Sequence, residues 1–281
     1  MIGVFDSGSG GLTILSELIA TLPERDFLYF GDHARAPYGT RPAEEVYACT
    51  EEAVAFLLER GCRLVLIACN TAAAVALRRL QQGWLRDHAP AARVLGVHVP
   101  LVEAITGRRW GDVSQHHGGG RERRVAVFAT PRTVASHAFR TEIGLRAPET
   151  TVVEIACPGL AEAIEAGGDE TTLQPLVTEY VRTLANHPNA AAGFDFAALA
   201  CTHYPFAAGA FRHALPSATA LLMQPALVAR ALADYLRRHP AQDDPGNGHV
   251  RLLTSGDPDH LDGLLGRLAP DLRRFERISG A

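Results

Sequence analysis

The sequence predicts an α/β protein of two similar doubly wound parallel-sheet domains, related by pseudo-symmetry, with the active site in the cleft between them. Three observations carry that expectation. Short apolar runs alternate with longer stretches whose apolar residues recur at helical spacing. Those short runs are apolar throughout rather than at every second residue, the pattern of strands covered on both faces. The two halves also repeat one another. Residues 2–19 (IGVFDSGSGGLTILSELI) match 125–143 (VAVFATPRTVASHAFRTEI), and 64–77 (LVLIACNTAAAVAL) match 196–209 (FAALACTHYPFAAG). Each matched segment runs from an apolar strand through small polar residues into a helix. Cys201 follows Cys69 by 132 residues and Thr130 follows Asp6 by 124, a similar spacing that points to duplication.

Taken in order, strands are expected at 2–5, 27–30, 64–68, 94–97, 125–128, 152–155, 197–200 and 250–254. Helices are expected between them at 12–21, 43–60, 72–86, 133–143 and 171–186. Residues 1–98 with 208–281 form the first expected domain, and 99–207 the second. Residues 108–124 read as an irregular surface insertion. They contain Trp110 and the pair His116-His117 followed by three glycines, and no acidic or cysteine partner stands at metal-ligand spacing from that pair.

Composition excludes several function classes. A formal net charge of −4 gives no general attraction to nucleic acid or to an anionic membrane, and the short basic clusters at 121–124, 237–238 and 273–274 read as solvated faces. The chain opens directly on an apolar strand, without a basic leader, and no apolar run is long enough to span a bilayer; a cytoplasmic location is expected. Five scattered cysteines with no CxxC pair make neither a disulfide framework nor a structural zinc site. All 27 basic residues are arginine. Without a lysine there is no Schiff base to pyridoxal phosphate and no P-loop lysine to reach a nucleotide's phosphates, so these two enzyme classes drop out, and the cysteine and histidine spacings offer no metal site.

In open α/β sheets ligands bind beyond the carboxyl ends of the strands. Four expected strands end there in polar residues: Asp6-Ser7-Gly8, Gly31-Asp32, Cys69-Asn70-Thr71 and Cys201-Thr202-His203. The glycine-rich turn after Asp6 alone is equally a packing turn or a phosphate cradle. Cys49, Cys62 and Cys157 read as small buried hydrophobes. Cys69 and Cys201 differ because each stands between a strand and a helix in matching places. A helix N-terminus lowers a thiol's pKa from roughly 8.5, and its N–H groups, with Asn70, Thr71 and Thr202, can hold a carboxylate. Two thiols facing one small substrate suit inversion of an α-carbon, which needs a base on one face and an acid on the other.

At these residues the chain resembles glutamate racemase of the aspartate/glutamate racemase superfamily. The likeness lies in DSGSGGLT (6–13), YFGDHARAPYGTR (29–41), ACNTAAAVAL (68–77), ATPRT (129–133), ACPGLAEAIEAG (156–167) and ACTHYPF (200–206), in that order, with LLTSGDP (252–258) near the end. The resemblance implies a cofactor-independent isomerase interconverting L- and D-glutamate and supplying D-glutamate for peptidoglycan. It makes Cys69 the base for D-glutamate, assisted by Asp6, and Cys201 the base for L-glutamate, assisted by His203 and Glu165. It places Ser7, Tyr38, Gly39, Asn70, Thr71 and Thr202 against substrate, with Thr130 and Thr133 on the facing loop and Asp32 in support. The implied partner is the small molecule glutamate, with no nucleic acid and no membrane; a homodimer is left open. Two departures stand out: Leu101 where the family usually has glycine, and Gln224 where it often has aspartate. An activator-binding N-terminal extension is missing from this sequence, so regulation by a cell-wall precursor is not expected. Two other readings remain: a racemase of aspartate or another small acid, and a small-acid binding protein without turnover.

Overall fold

The computed structural model describes residues 1–109 and 122–278; His116, His117 and most of the expected insertion lie outside them. The first half runs β1 (Ile2–Asp6), α1 (Leu12–Thr21), β2 (Phe27–Gly31), α2 (Ala43–Glu59), β3 (Leu64–Ile67), α3 (Asn70–Gln82), α4 (Trp84–His88), β4 (Arg93–Gly96) and α5 (His98–Thr106). The second half continues with β5 (Arg124–Ala129), α6 (Pro131–Ser136), α7 (Ala138–Arg146), β6 (Thr151–Ala156), α8 (Leu160–Glu165), α9 (Glu170–Ala185), β7 (Phe196–Ala200), α10 (Ala208–Ala214) and β8 (Ala220–Leu222). The chain ends through α11 (Gln224–Arg238), β9 (Val250–Thr254), α12 (Pro258–Leu268) and β10 (Glu276–Arg277).

Two parallel sheets result, ordered β10-β9-β2-β1-β3-β4 and β6-β5-β7-β8. The repeat seen in the sequence is visible in the topology, because β2-β1-β3-β4 and β6-β5-β7-β8 share one order. In each, the leading strand lies between the second and third. Register is continuous across the centre: Val4 stands opposite Tyr29 and Leu66, and Val127 opposite Glu154 and Ala198. Strand period two sends Val125, Val127 and Ala129 into one core with α5 and α7, and Ala126 and Phe128 into another with α9 and α10. Both faces are covered, which is why these strands read as apolar throughout.

The expected domain division needs one correction. The sequence assigns residues 208–222 to the first domain, but α10 packs on α9 and β8 pairs in parallel with β7. The chain therefore stays on the second sheet until Leu222 and crosses back at Met223-Gln224. Two expected helices are each interrupted. The stretch 72–86 breaks at Gly83, and 133–143 breaks at His137, whose φ of 53° is left-handed. Leu101 is fully buried on α5 against the second sheet, so the bulk gained there fills core.

Candidate active site

Four strand ends, β1, β2, β3 and β7, deliver the expected polar residues to one side of the molecule. There Ser7, Tyr38, Gly39, Cys69, Asn70, Thr71, Thr130, Glu165, Cys201, Thr202 and His203 line a single cavity of about 60 Å³. Both sheets contribute, so the cavity is a cleft between them. Its lining of thiols, hydroxyls and a carboxamide suits a small polar ligand. A larger cavity of about 260 Å³ opens among Leu66, Leu95, Val99, Leu232 and neighbours, but it gathers no thiol and none of the strand-end polar groups. Two expected residues stand behind the wall instead. Asp6 is buried beneath it, and Thr133 backs Thr130.

Cys69 is itself the N-cap of α3, its sulfur accepting from the Ala72 N–H at 3.4 Å and lying 3.2 Å from Ser7 Oγ. A helix N-terminus by itself lowers a thiol's pKa. Burial wins: it pushes the thiol up to about 12, with the Asp6 charge adding to the rise, against smaller lowering by Ser7 and the Ala72 N–H. Cys69 therefore rests as a thiol. Asp6 is also pushed up by burial, against the opposing charge of His203 and the N–H groups of Gly11 and Gly8. Its Oδ2 accepts from the Gly8 N–H at 3.0 Å, while Oδ1 is buried with no hydrogen bond.

On the other side a relay backs Cys201. His203 Nδ1 lies 3.7 Å from the Cys201 sulfur, and Nε2 lies 2.8 Å from Glu165 Oε1. Burial alone would lower His203, but hydrogen bonds to Cys201 and Glu165 raise its pKa well above 6.5. Burial raises Glu165 in turn, and the His203 hydrogen bond and charge more than reverse it. At neutral pH the pair is an imidazolium and a carboxylate. Glu165, on a helix where a solvent-facing carboxylate is the default, is drawn in by that bond.

The remaining walls are positioned through hydroxyls and amides. Thr71 Oγ1 lies 2.9 Å from Thr130 Oγ1, and Thr130 caps α6 by accepting from the Thr133 N–H at 3.2 Å. This cluster joins α3 of the first half to α6 of the second. Tyr38 donates to Asp32 Oδ2 at 2.5 Å, and Arg35 and Ser255 hold the same carboxylate. Asp32 thus supports the Tyr38-Gly39 wall without reaching the cleft. Gly39 sits where a Cβ would come within 3.1 Å of Thr130 Cβ.

Sequence reasoning passed over part of the second-half wall. Cys157, Pro158, Gly159 and Glu162 also line the cleft. Gly159 takes φ of +81° at the start of α8, and the signal was present in the CPGLAEA segment. Cys157, read as core, is 2% exposed but forms cleft wall as well. Among the described residues no metal-ligating cluster occurs, and no helix is long and apolar enough to cross a membrane.

No family model matches the chain. A glutamate racemase of Paracoccus denitrificans is 45% identical over 281 residues, spanning 98% of this chain and 98% of its own length. Among solved structures, the glutamate racemase isoform RacE1 from Bacillus anthracis has a TM-score of 0.85 at 27% identity, covering 99% of this chain and 97% of its own. The glutamate racemase of Francisella tularensis, solved in complex with D-glutamate, has a TM-score of 0.84 at 26% identity and the same coverage. Nearly full-length identity at 45%, with two matched thiol motifs meeting in one interdomain cleft, places this chain in the glutamate racemase family.

Proposed function

We propose that the chain interconverts L- and D-glutamate by a two-base mechanism without cofactor, with Cys69 and Cys201 on opposite faces of the substrate α-carbon. The observation that carries this is the joint placement of both sulfurs in one small cleft, each at a strand end of a different sheet. In the L-to-D direction Cys201, as thiolate, takes the α-proton while the Cys69 thiol delivers its proton to the opposite face. One C–H bond breaks and another forms, and the charge passes from one sulfur to the other. The D-to-L direction runs in reverse. The Asn70, Thr71 and Thr202 side chains and the α3 N-terminus supply donors for a carboxylate, and preorganised donors lower the energy of charge developing at the α-carbon.

Glutamate is favoured over aspartate by the relatives, including the family member solved with D-glutamate. Supply of D-glutamate for peptidoglycan and a cytoplasmic location follow from the same reading. The test is racemisation of L-glutamate, followed by loss of optical activity, with exhaustively dialysed protein. Conversion without added pyridoxal phosphate or metal is expected. Activity that appears only when either is added overturns the mechanism, and turnover of aspartate in preference to glutamate overturns the substrate.

A further inference from the structure

Asn70 follows Cys69 directly and lines the cleft, yet its carboxamide is held from behind by a residue that does not. Asn70 Nδ2 donates to Gln224 Oε1 at 2.6 Å, and Gln224 Nε2 donates back to Asn70 Oδ1 at 2.9 Å. The second Gln224 N–H goes to the Val97 carbonyl at 3.1 Å. Asn70 is 2% exposed and Gln224 1%, so water does not compete for these groups.

The direction of every bond in this chain is dictated by one fixed acceptor. A backbone carbonyl only accepts, so it requires the amide nitrogen of Gln224 and thereby turns Oε1 toward Asn70. Oε1 in turn requires the Asn70 nitrogen. Both Gln224 hydrogens are then used, and Asn70 keeps one free N–H and one oxygen lone pair. The cleft wall beside Cys69 thus has a single amide orientation, set from Val97 through Gln224.

The position of Gln224 gives that bond set a second consequence. Val97 is where the chain leaves the first sheet for α5, and its own N–H donates to the Ile67 carbonyl at the end of β3. Gln224 is where the chain returns, immediately after β8 and at the first turn of α11. Both crossings between the sheets therefore meet at one side chain, one hydrogen bond from the residue beside Cys69.

We infer that Gln224 is a positioning residue for racemisation, fixing the carboxamide of Asn70 and tying the Cys69 side of the cleft to the two inter-sheet crossings. The inference rests on the racemase reading, since it is turnover of glutamate that Asn70 would serve. An aspartate in this place could accept from Asn70 but, ionised, could donate neither to Asn70 Oδ1 nor to Val97. The glutamine makes the bond set reciprocal.

The experiment compares wild type, Gln224→Leu, Gln224→Glu, Asn70→Ala and the double variant Asn70→Ala/Gln224→Leu by steady-state racemisation of both glutamate isomers, with thermal melts on each. Leucine keeps apolar bulk, and glutamate keeps the shape while removing both donors. Each single Gln224 variant is expected to lose about 10- to 100-fold in kcat/KM, the scale of a hydrogen bond to a charged ligand. The loss should fall on kcat and KM together, as in Asn70→Ala. In the Asn70→Ala background Gln224→Leu should then cost less than about 3-fold more, because the residues act as a unit. A folded Gln224→Leu or Gln224→Glu within about 3-fold of wild type overturns the inference, as does an undiminished loss in the Asn70→Ala background. Should Gln224→Leu not fold, the isosteric Gln224→Glu decides alone by the same criterion. A wild type that does not racemise glutamate sinks the functional reading itself, which is a separate outcome.

Discussion

Cys69 and Cys201 are held by different neighbours although they occupy matching places in the repeat. Cys69 is a buried thiol beside a buried carboxyl, whereas Cys201 faces an imidazolium paired to Glu165. On the proposed two-base mechanism each thiol acts in every turnover, so Cys69→Ser and Cys201→Ser should each lose at least about 100-fold in racemisation in both directions. Elimination separates them, because expelling a β-leaving group after one deprotonation needs only one base. Cys201→Ser should retain elimination from the D-isomer of such a substrate and Cys69→Ser from the L-isomer; the reverse pattern would exchange the faces assigned here. A second residue-scale prediction concerns pH. The His203 pKa is raised in the folded chain, so its stabilisation is complete below its ordinary 6.5 and fades as pH climbs through the folded value. Glu165 is lowered, so its contribution is complete above its ordinary 4.5 and disappears as pH falls through the folded value. The melting-temperature gap between wild type and His203→Gln should be widest between pH 4.5 and 6.5, and a gap independent of pH would contradict the pair.

Turns and caps place these groups, and here the sequence was only partly legible. The central strands were readable because apolar runs between polar strand ends have few other interpretations. β10 was not: Glu276 and Arg277 are both exposed and polar, paired only at the sheet's rim. α3 starts two residues before the sequence predicts because its cap is a cysteine, not one of the usual capping residues. Helix breaks at Gly83 and His137 leave no gap in the apolar periodicity. The cleft's first-half wall was legible from the Cys69 and Pro-Tyr-Gly segments, while Cys157 was hidden by its resemblance to ordinary core. Between β1 and α1, Gly10 sits against the relay, since a Cβ there would lie 2.5 Å from the His203 ring and from Thr202 Oγ1. Gly10→Ala should therefore cost about 1–3 kcal/mol of stability through overpacking and depress kcat by displacing His203. Thr130→Ala removes a side-chain cap from α6 and should cost about 0.5–2 kcal/mol. Denaturant melts and kinetics on both variants check these values.

At the scale of the whole molecule, two sheets that share a four-strand order present equivalent strand ends to one cleft, and bonds across the join hold them there. Beyond the Thr71–Thr130 contact, Glu142 of α7 is 3% exposed and takes Arg78 of α3 and Arg146 of its own helix. Removing one partner of a buried pair costs about 3–5 kcal/mol. Because Arg78 is half exposed, Glu142→Ala should fall near 3 kcal/mol on that scale, measured by denaturant unfolding. The duplication was legible in the matched segments, but the return crossing was not. Nothing in the composition around residues 208–222 distinguishes a helix and short strand of one sheet from those of the other. The most direct measurement of the central claim follows isotope at the α-carbon. L-glutamate is incubated with dialysed protein in D2O, and both isomers are analysed at low conversion. Two thiols on opposite faces predict D-glutamate carrying deuterium at the α-carbon while the remaining L-glutamate carries almost none. D-glutamate that keeps its original hydrogen, or deuterium entering both isomers equally from the start, would contradict it.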